Sequence, residues 1–146
     1  MKTGLPRKQK GAVAIEFALV FLIFFAVFYG IVTYSLPLLL MQSFTQSTAE
    51  AVRRSVALDP STPGYDTAVK TVATTELSRQ LAWIPAALNF NVATDASATY
   101  VGGVLTVSIN YPTSKLQQVI PFLNVPGIGQ VPNLPANLSA RSSLQF

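Results

Sequence analysis

The sequence predicts an α+β protein: a long N-terminal transmembrane helix continuing into a small exported domain with a second helix and a three-stranded antiparallel sheet. Three observations carry that prediction. From Ala12 to Met41 the chain is apolar and, apart from Glu16, uncharged. Apolar residues then recur at three- and four-residue spacings as far as Leu81, the helical period. Beyond Phe90 the period changes to two, with Gly102-Gly103 as a turn signal between two strands.

Taken in order, residues 1–11 form a basic leader carrying Lys2, Arg7, Lys8 and Lys10. These four supply the whole net charge of +4. Beyond Gly11 the bases Arg53, Arg54, Lys70, Arg79, Lys115 and Arg141 balance the acids Glu16, Glu50, Asp59, Asp66, Glu76 and Asp95. A nucleic-acid binder needs cations spread over a folded face, so no nucleic-acid partner is expected. Positive charge beside an apolar run instead obeys the positive-inside rule. It predicts a single-pass membrane protein with its N-terminus cytoplasmic and the remainder exported.

Residues 12–41 are the transmembrane segment. About 20 helical residues cross a hydrocarbon core, and this run is longer. Glu16 interrupts it, although an ionised side chain at membrane depth costs roughly 2.5–3.5 kcal/mol on insertion scales. Such a residue is expected to have a use. The aromatic residues Phe17, Phe21, Phe24, Phe25, Phe28 and Tyr29 read as lipid-facing or helix-packing, and Tyr34 as a marker of the outer interface. Pro37 is expected to kink the helix or release one backbone bond.

Residues 42–146 form the exported α+β domain. Gln42 to Ala57 continues the first helix, with Phe44, Ala51, Val52 and Val56 as an apolar stripe. Asp59-Pro60-Ser61-Thr62-Pro63-Gly64 breaks the chain. A second helix carries Tyr65, Val69, Val72, Ala73, Leu77 and Leu81 inward, leaves Asp66, Lys70, Glu76 and Arg79 wet, and stops near Trp83-Ile84-Pro85. The three strands are expected at Asn89–Thr94, Leu105–Tyr111 and Leu138–Phe146, the last with Leu138, Ala140, Leu144 and Phe146 on the oily face. Between the second and third lies a long apolar connection from Pro112 to Ala136, punctuated by Pro121, Pro126, Pro132 and Pro135. It reads as a cover for the sheet edge, or as a docking surface for another subunit or the membrane.

Candidate chemistry is mostly negative. With no cysteine and no histidine, thiol nucleophiles, disulfides and Ser-His-Asp triads are excluded. Gly127-Ile128-Gly129 lacks the lysine of a phosphate loop. Asn137-Leu138-Ser139 matches a glycosylation sequon inside an expected strand. The acids are scattered, Arg53-Arg54 reads as a solvated patch or a subunit contact, and no cofactor, metal or enzymatic activity is expected.

The junction Arg7-Lys8-Gln9-Lys10-Gly11, followed by Ala12-Val13-Ala14-Ile15-Glu16-Phe17-Ala18-Leu19, resembles the processing site of type IV prepilins. With Thr106-Val107-Ser108-Ile109-Asn110-Tyr111-Pro112 and Leu138-Ser139-Ala140-Arg141-Ser142, the chain resembles the TadE-like minor pilins or pseudopilins of tight-adherence systems. The resemblance implies cleavage by a prepilin peptidase between Gly11 and Ala12. It further implies a structural role in priming or regulating assembly of an adhesive pilus. The implied partners are the major pilin, other minor pilins and the inner-membrane assembly platform. Glu16, with Phe17 beside it, is then the assembly element: within a helix bundle its carboxylate meets the Ala12 amine of a neighbour, and pairing makes a membrane charge tolerable. Competing readings are an unprocessed signal anchor bearing a periplasmic binding domain, and a pseudopilin of a general secretion system. A cleaved secretory signal ending near Ser47-Thr48-Ala49 fits poorly, because its apolar region would far exceed the usual 7–15 residues.

Overall fold

The computed structural model describes residues 9–146, with side chains from Gly11 onward. Lys2, Arg7 and Lys8 of the basic leader lie outside the described residues, as does the side chain of Lys10.

The first helix, α1 (Gln9–Ser55), is 47 residues long, about 70 Å at 1.5 Å per residue. It continues without a break through Pro37. Every residue from Gly11 to Phe28 is exposed, and burial begins at Tyr29. The outer half carries Leu40, Phe44, Ala51 and Val52, each nearly inaccessible. Asp59 then turns the chain. Its carboxylate accepts the Ser61 N–H at 2.9 Å and the Ser61 hydroxyl at 2.8 Å. Those two bonds hold its pKa below the usual value. Gly64, at φ 69°, takes the left-handed conformation that favours glycine and opens α2 (Tyr65–Gln80).

A 3₁₀ turn (Ala86–Leu88) and one helical turn, α3 (Val92–Asp95), lead to strands β1 (Ala96–Val101) and β2 (Val104–Pro112). Then come α4 (Thr113–Gln117), a small hairpin of β3 (Leu123–Val125) and β4 (Gly129–Val131), and β5 (Asn137–Gln145). The main sheet has the order β1-β2-β5 and is antiparallel throughout. Gly102 and Gly103, at φ 59° and 77°, make the tight β1–β2 turn that needs two positive φ values. One sheet face is covered by helices, α1 over β5 and β2 and α2 over β1. Phe44, Phe90 and Tyr111 meet between these layers with ring centroids 5.4–6.2 Å apart, within the favourable range for aromatic pairs.

The α+β class, both long helices and the three-stranded sheet stand as the sequence predicts. Four local expectations do not. The first strand is not Asn89–Thr94: Asn91 Oδ1 accepts the Ala93 N–H and Asp95 reaches back to the Asn91 N–H, each at 2.9 Å. This reciprocal capping winds 92–95 into α3 and moves the strand to 96–101. Glu76 is not on the wet side of α2 but 7 % exposed, because Arg54, Arg79 and Gln80 converge on its carboxylate. Arg54 therefore belongs to an interhelical cluster, while Arg53 stays in solvent with its side chain 83 % exposed. Leu144 remains 45 % exposed, since that end of β5 lies beside an open pocket under Arg53. The 112–136 connection contains α4 and a hairpin, and it is tied to α1 by two tyrosines: Tyr29 Oη donates to the Pro121 carbonyl, and Tyr34 Oη accepts the Asn133 N–H at 2.7 Å.

Candidate functional site

The segment that the sequence singles out occupies the inner end of α1. Gly11 and Ala12 both lie within the described part of α1. Among the described residues, a Cβ added at Gly11 would meet nothing within 4 Å.

Glu16 lies four residues beyond Ala12, and that spacing puts both on one face of the helix. It is exposed, and among the described residues it has no ion-pair partner. Phe17 points about 100° further around the helix. Its ring stacks on Phe21 at 6.2 Å, Phe21 on Phe25 at 6.3 Å, and Phe25 on Tyr29 at 6.4 Å. A second pair, Phe24 and Phe28, adds 6.2 Å. The inner helix thus has an aromatic side and, apart from it, a side bearing Ala12 and Glu16. The structure brings Gly11, Ala12, Glu16 and Phe17 together within two turns of one exposed helix.

Residues 11–53 match the family model described as TadE-like protein, a span under a third of the chain and nearly all of α1. Over this span the chain is similar to that family. That likeness suggests a pilin-like protein associated with a Tad pilus. The length and apolar character of the TadE-like helix fit a single-pass membrane anchor. No curated protein and no solved structure matches the chain.

Sequence reasoning missed two features near this segment. The aromatic ladder was signalled by the four-residue spacing of Phe17, Phe21, Phe25 and Tyr29, a helical neighbour relation. The hydroxyl contacts of Tyr29 and Tyr34 had no sequence signal, since their partners lie 92 and 99 residues away. Among the described residues, no group of three His, Cys, Asp or Glu side chains is placed to hold a metal ion.

Proposed function

We propose that the chain is a minor pilin of a Tad-type pilus, made as a prepilin and cut between Gly11 and Ala12 by a prepilin peptidase. Residues 1–11 are then the leader, 12–41 the membrane anchor, and 42–146 a periplasmic domain that can enter the extracellular fibre. The observation that carries this reading is the placement of Glu16 one helical turn beyond Ala12 on a bare apolar helix that is TadE-like.

Cleavage frees the Ala12 amine. A carboxylate in hydrocarbon is costly alone and tolerable when paired, so Glu16 of one subunit and the amine of another attract each other. Because the amine and carboxylate sit at fixed heights on a rigid helix, their pairing sets the axial register of an incoming subunit. Phe17 and the ladder above it supply packing without directional bonds. The globular domain added to the helix suits a component that primes or regulates assembly, working with the major pilin, other minor pilins and the inner-membrane platform.

The test is the intact mass and N-terminal sequence of the protein from native membranes containing an active prepilin peptidase. A chain beginning at Ala12 supports the proposal. One still beginning at Met1 overturns it in favour of an unprocessed signal anchor.

A further inference from the structure

The helix emerges bare from Gly11 to Phe28, about 27 Å at 1.5 Å per residue. A hydrocarbon core is about 30 Å thick. The first contact between α1 and the rest of the chain therefore falls at or just inside the outer boundary of the bilayer. That contact is the bond from Tyr29 to Pro121, and the next is that between Tyr34 and Asn133. The segment tied down at these two heights is the β3–β4 hairpin with its flanks.

Its chemistry is unlike the rest of the domain surface. No charged residue occurs between Lys115 and Arg141. Val119 and Leu123 are each 44 % exposed, and Ile128, at the tip, is 77 % exposed. The tip is preorganised: Pro126 and Gly127, at φ 84°, occupy the central positions of a turn closed by the Ile128 N–H on the Val125 carbonyl at 3.1 Å. That arrangement is the type II turn, which needs positive φ at its third residue. A rigid turn thus holds a large aliphatic side chain outward.

We infer that the β3–β4 hairpin is a second membrane contact, seated in the outer interface of the bilayer and held there by Tyr29 and Tyr34. The occupant of this apolar surface is the phospholipid leaflet itself, continuous with the lipid around α1. The hairpin does not go deeper. Among the described residues its two strands pair only with each other, and hydrocarbon excludes open strand edges, whereas headgroups and interfacial water satisfy them. The Tyr29 hydroxyl fits the same picture, because a phenol at the edge of hydrocarbon needs a hydrogen-bond partner and the Pro121 carbonyl supplies one. The inference rests on α1 spanning the membrane.

The test uses the full chain with Trp83→Phe, which removes its one tryptophan, and a new tryptophan at one of three places. Ile128→Trp reports the hairpin and Phe21→Trp the helix. Val101→Trp is the control, 76 % exposed like Ile128 but beside the β1–β2 turn at the far end of the sheet. Each is reconstituted into phosphatidylcholine vesicles brominated at shallow or deep acyl positions. The expected result is blue-shifted emission from Ile128→Trp, quenched more by shallow than by deep bromine and several-fold more than Val101→Trp. Phe21→Trp should be quenched most by deep bromine. Water-like emission from Ile128→Trp, with Phe21→Trp deeply quenched, overturns the inference while leaving the anchor intact. Blue emission without quenching overturns it as well, since a protein partner then covers the hairpin. If Phe21→Trp is not quenched, both the anchor and the hairpin contact fail.

Discussion

Lys115 Nζ lies 2.7 Å from both carboxylate oxygens of Asp95. The pair joins α4, which opens the apolar connection, to α3, which opens the sheet. Asp95 is 5 % exposed, and the ammonium also donates to the Asn89 carbonyl at 3.0 Å and sits over the Tyr111 ring. Removing one partner strands the other away from water. Lys115→Met is expected to lower stability by about 2–3 kcal/mol, read as a fall in the unfolding midpoint of the detergent-solubilised chain. Asp95→Asn should cost less, because an amide still caps the Asn91 N–H region.

Glu76 predicts the behaviour in acid. Hydrogen bonds from Arg79 and then Gln80, with the nearby Arg54 charge, hold its pKa at about 2, below the ordinary 4.5. A lowered folded-state value stabilises the fold above the unfolded-state pKa, and that stability is lost as pH falls through the folded value. Thermal unfolding of wild type and Glu76→Gln should therefore differ by a constant amount above about pH 4.5. The difference should shrink between there and about pH 2. A difference that does not change over that range would show that the cluster contributes nothing through charge.

Tyr111 predicts the behaviour in base. Burial, with the Asp95 charge second, pushes its phenol up to about 12, and its hydroxyl donates to the Leu88 carbonyl at 2.7 Å. A raised value keeps its stabilising contribution below the ordinary pKa of 10.0 and loses it as pH rises towards about 12. Tyr111→Phe is expected to cost about 1 kcal/mol at neutral pH and to flatten the alkaline loss in a pH series of unfolding midpoints.

Glu16→Ala is expected to leave membrane insertion and leader removal intact while reducing the number of assembled pili. Counting fibres by electron microscopy, beside a mass measurement of the processed chain, separates the two steps. Normal fibre numbers would remove the role of Glu16 in setting register.

Tyr34→Phe deletes the acceptor of the Asn133 N–H. Hydrogen exchange at Asn133 should accelerate by about fivefold if the bond is worth roughly 1 kcal/mol, with β5 amides unchanged. An equal acceleration throughout β5 would mean that the connection and the sheet open together.

Long periodic segments were legible in the sequence. α1 and α2 repeat their apolar residues often enough to reveal a 3.6 period, and β2 alternates cleanly from Leu105 to Tyr111. β1 was harder because two of its inward residues, Ala96 and Ala98, are too small to stand out against Ser97 and Thr99. The capping pair Asn91 and Asp95 carried the missed signal, outweighed by the apparent alternation of Phe90, Val92 and Thr94. Burial of Glu76 depends on Arg54 from another helix, and no local window contains both. The same divide runs through the candidate segment. The spacing of Gly11, Ala12 and Glu16 is a local fact, whereas the tyrosine contacts join residues at opposite ends of the chain.

Because α1 runs unbroken past Pro37 into the core around Phe44, the bare inner helix and the domain share one continuous element. Lifting that element from the bilayer by one helical turn moves everything bonded to it by about 5.4 Å. The hairpin, fastened at Tyr29 and Tyr34, cannot lag behind. If α1 spans the bilayer and the hairpin sits in its outer interface, as proposed, extraction strips lipid from both in the same stroke, and the force needed at the start of withdrawal exceeds that for a bare helix.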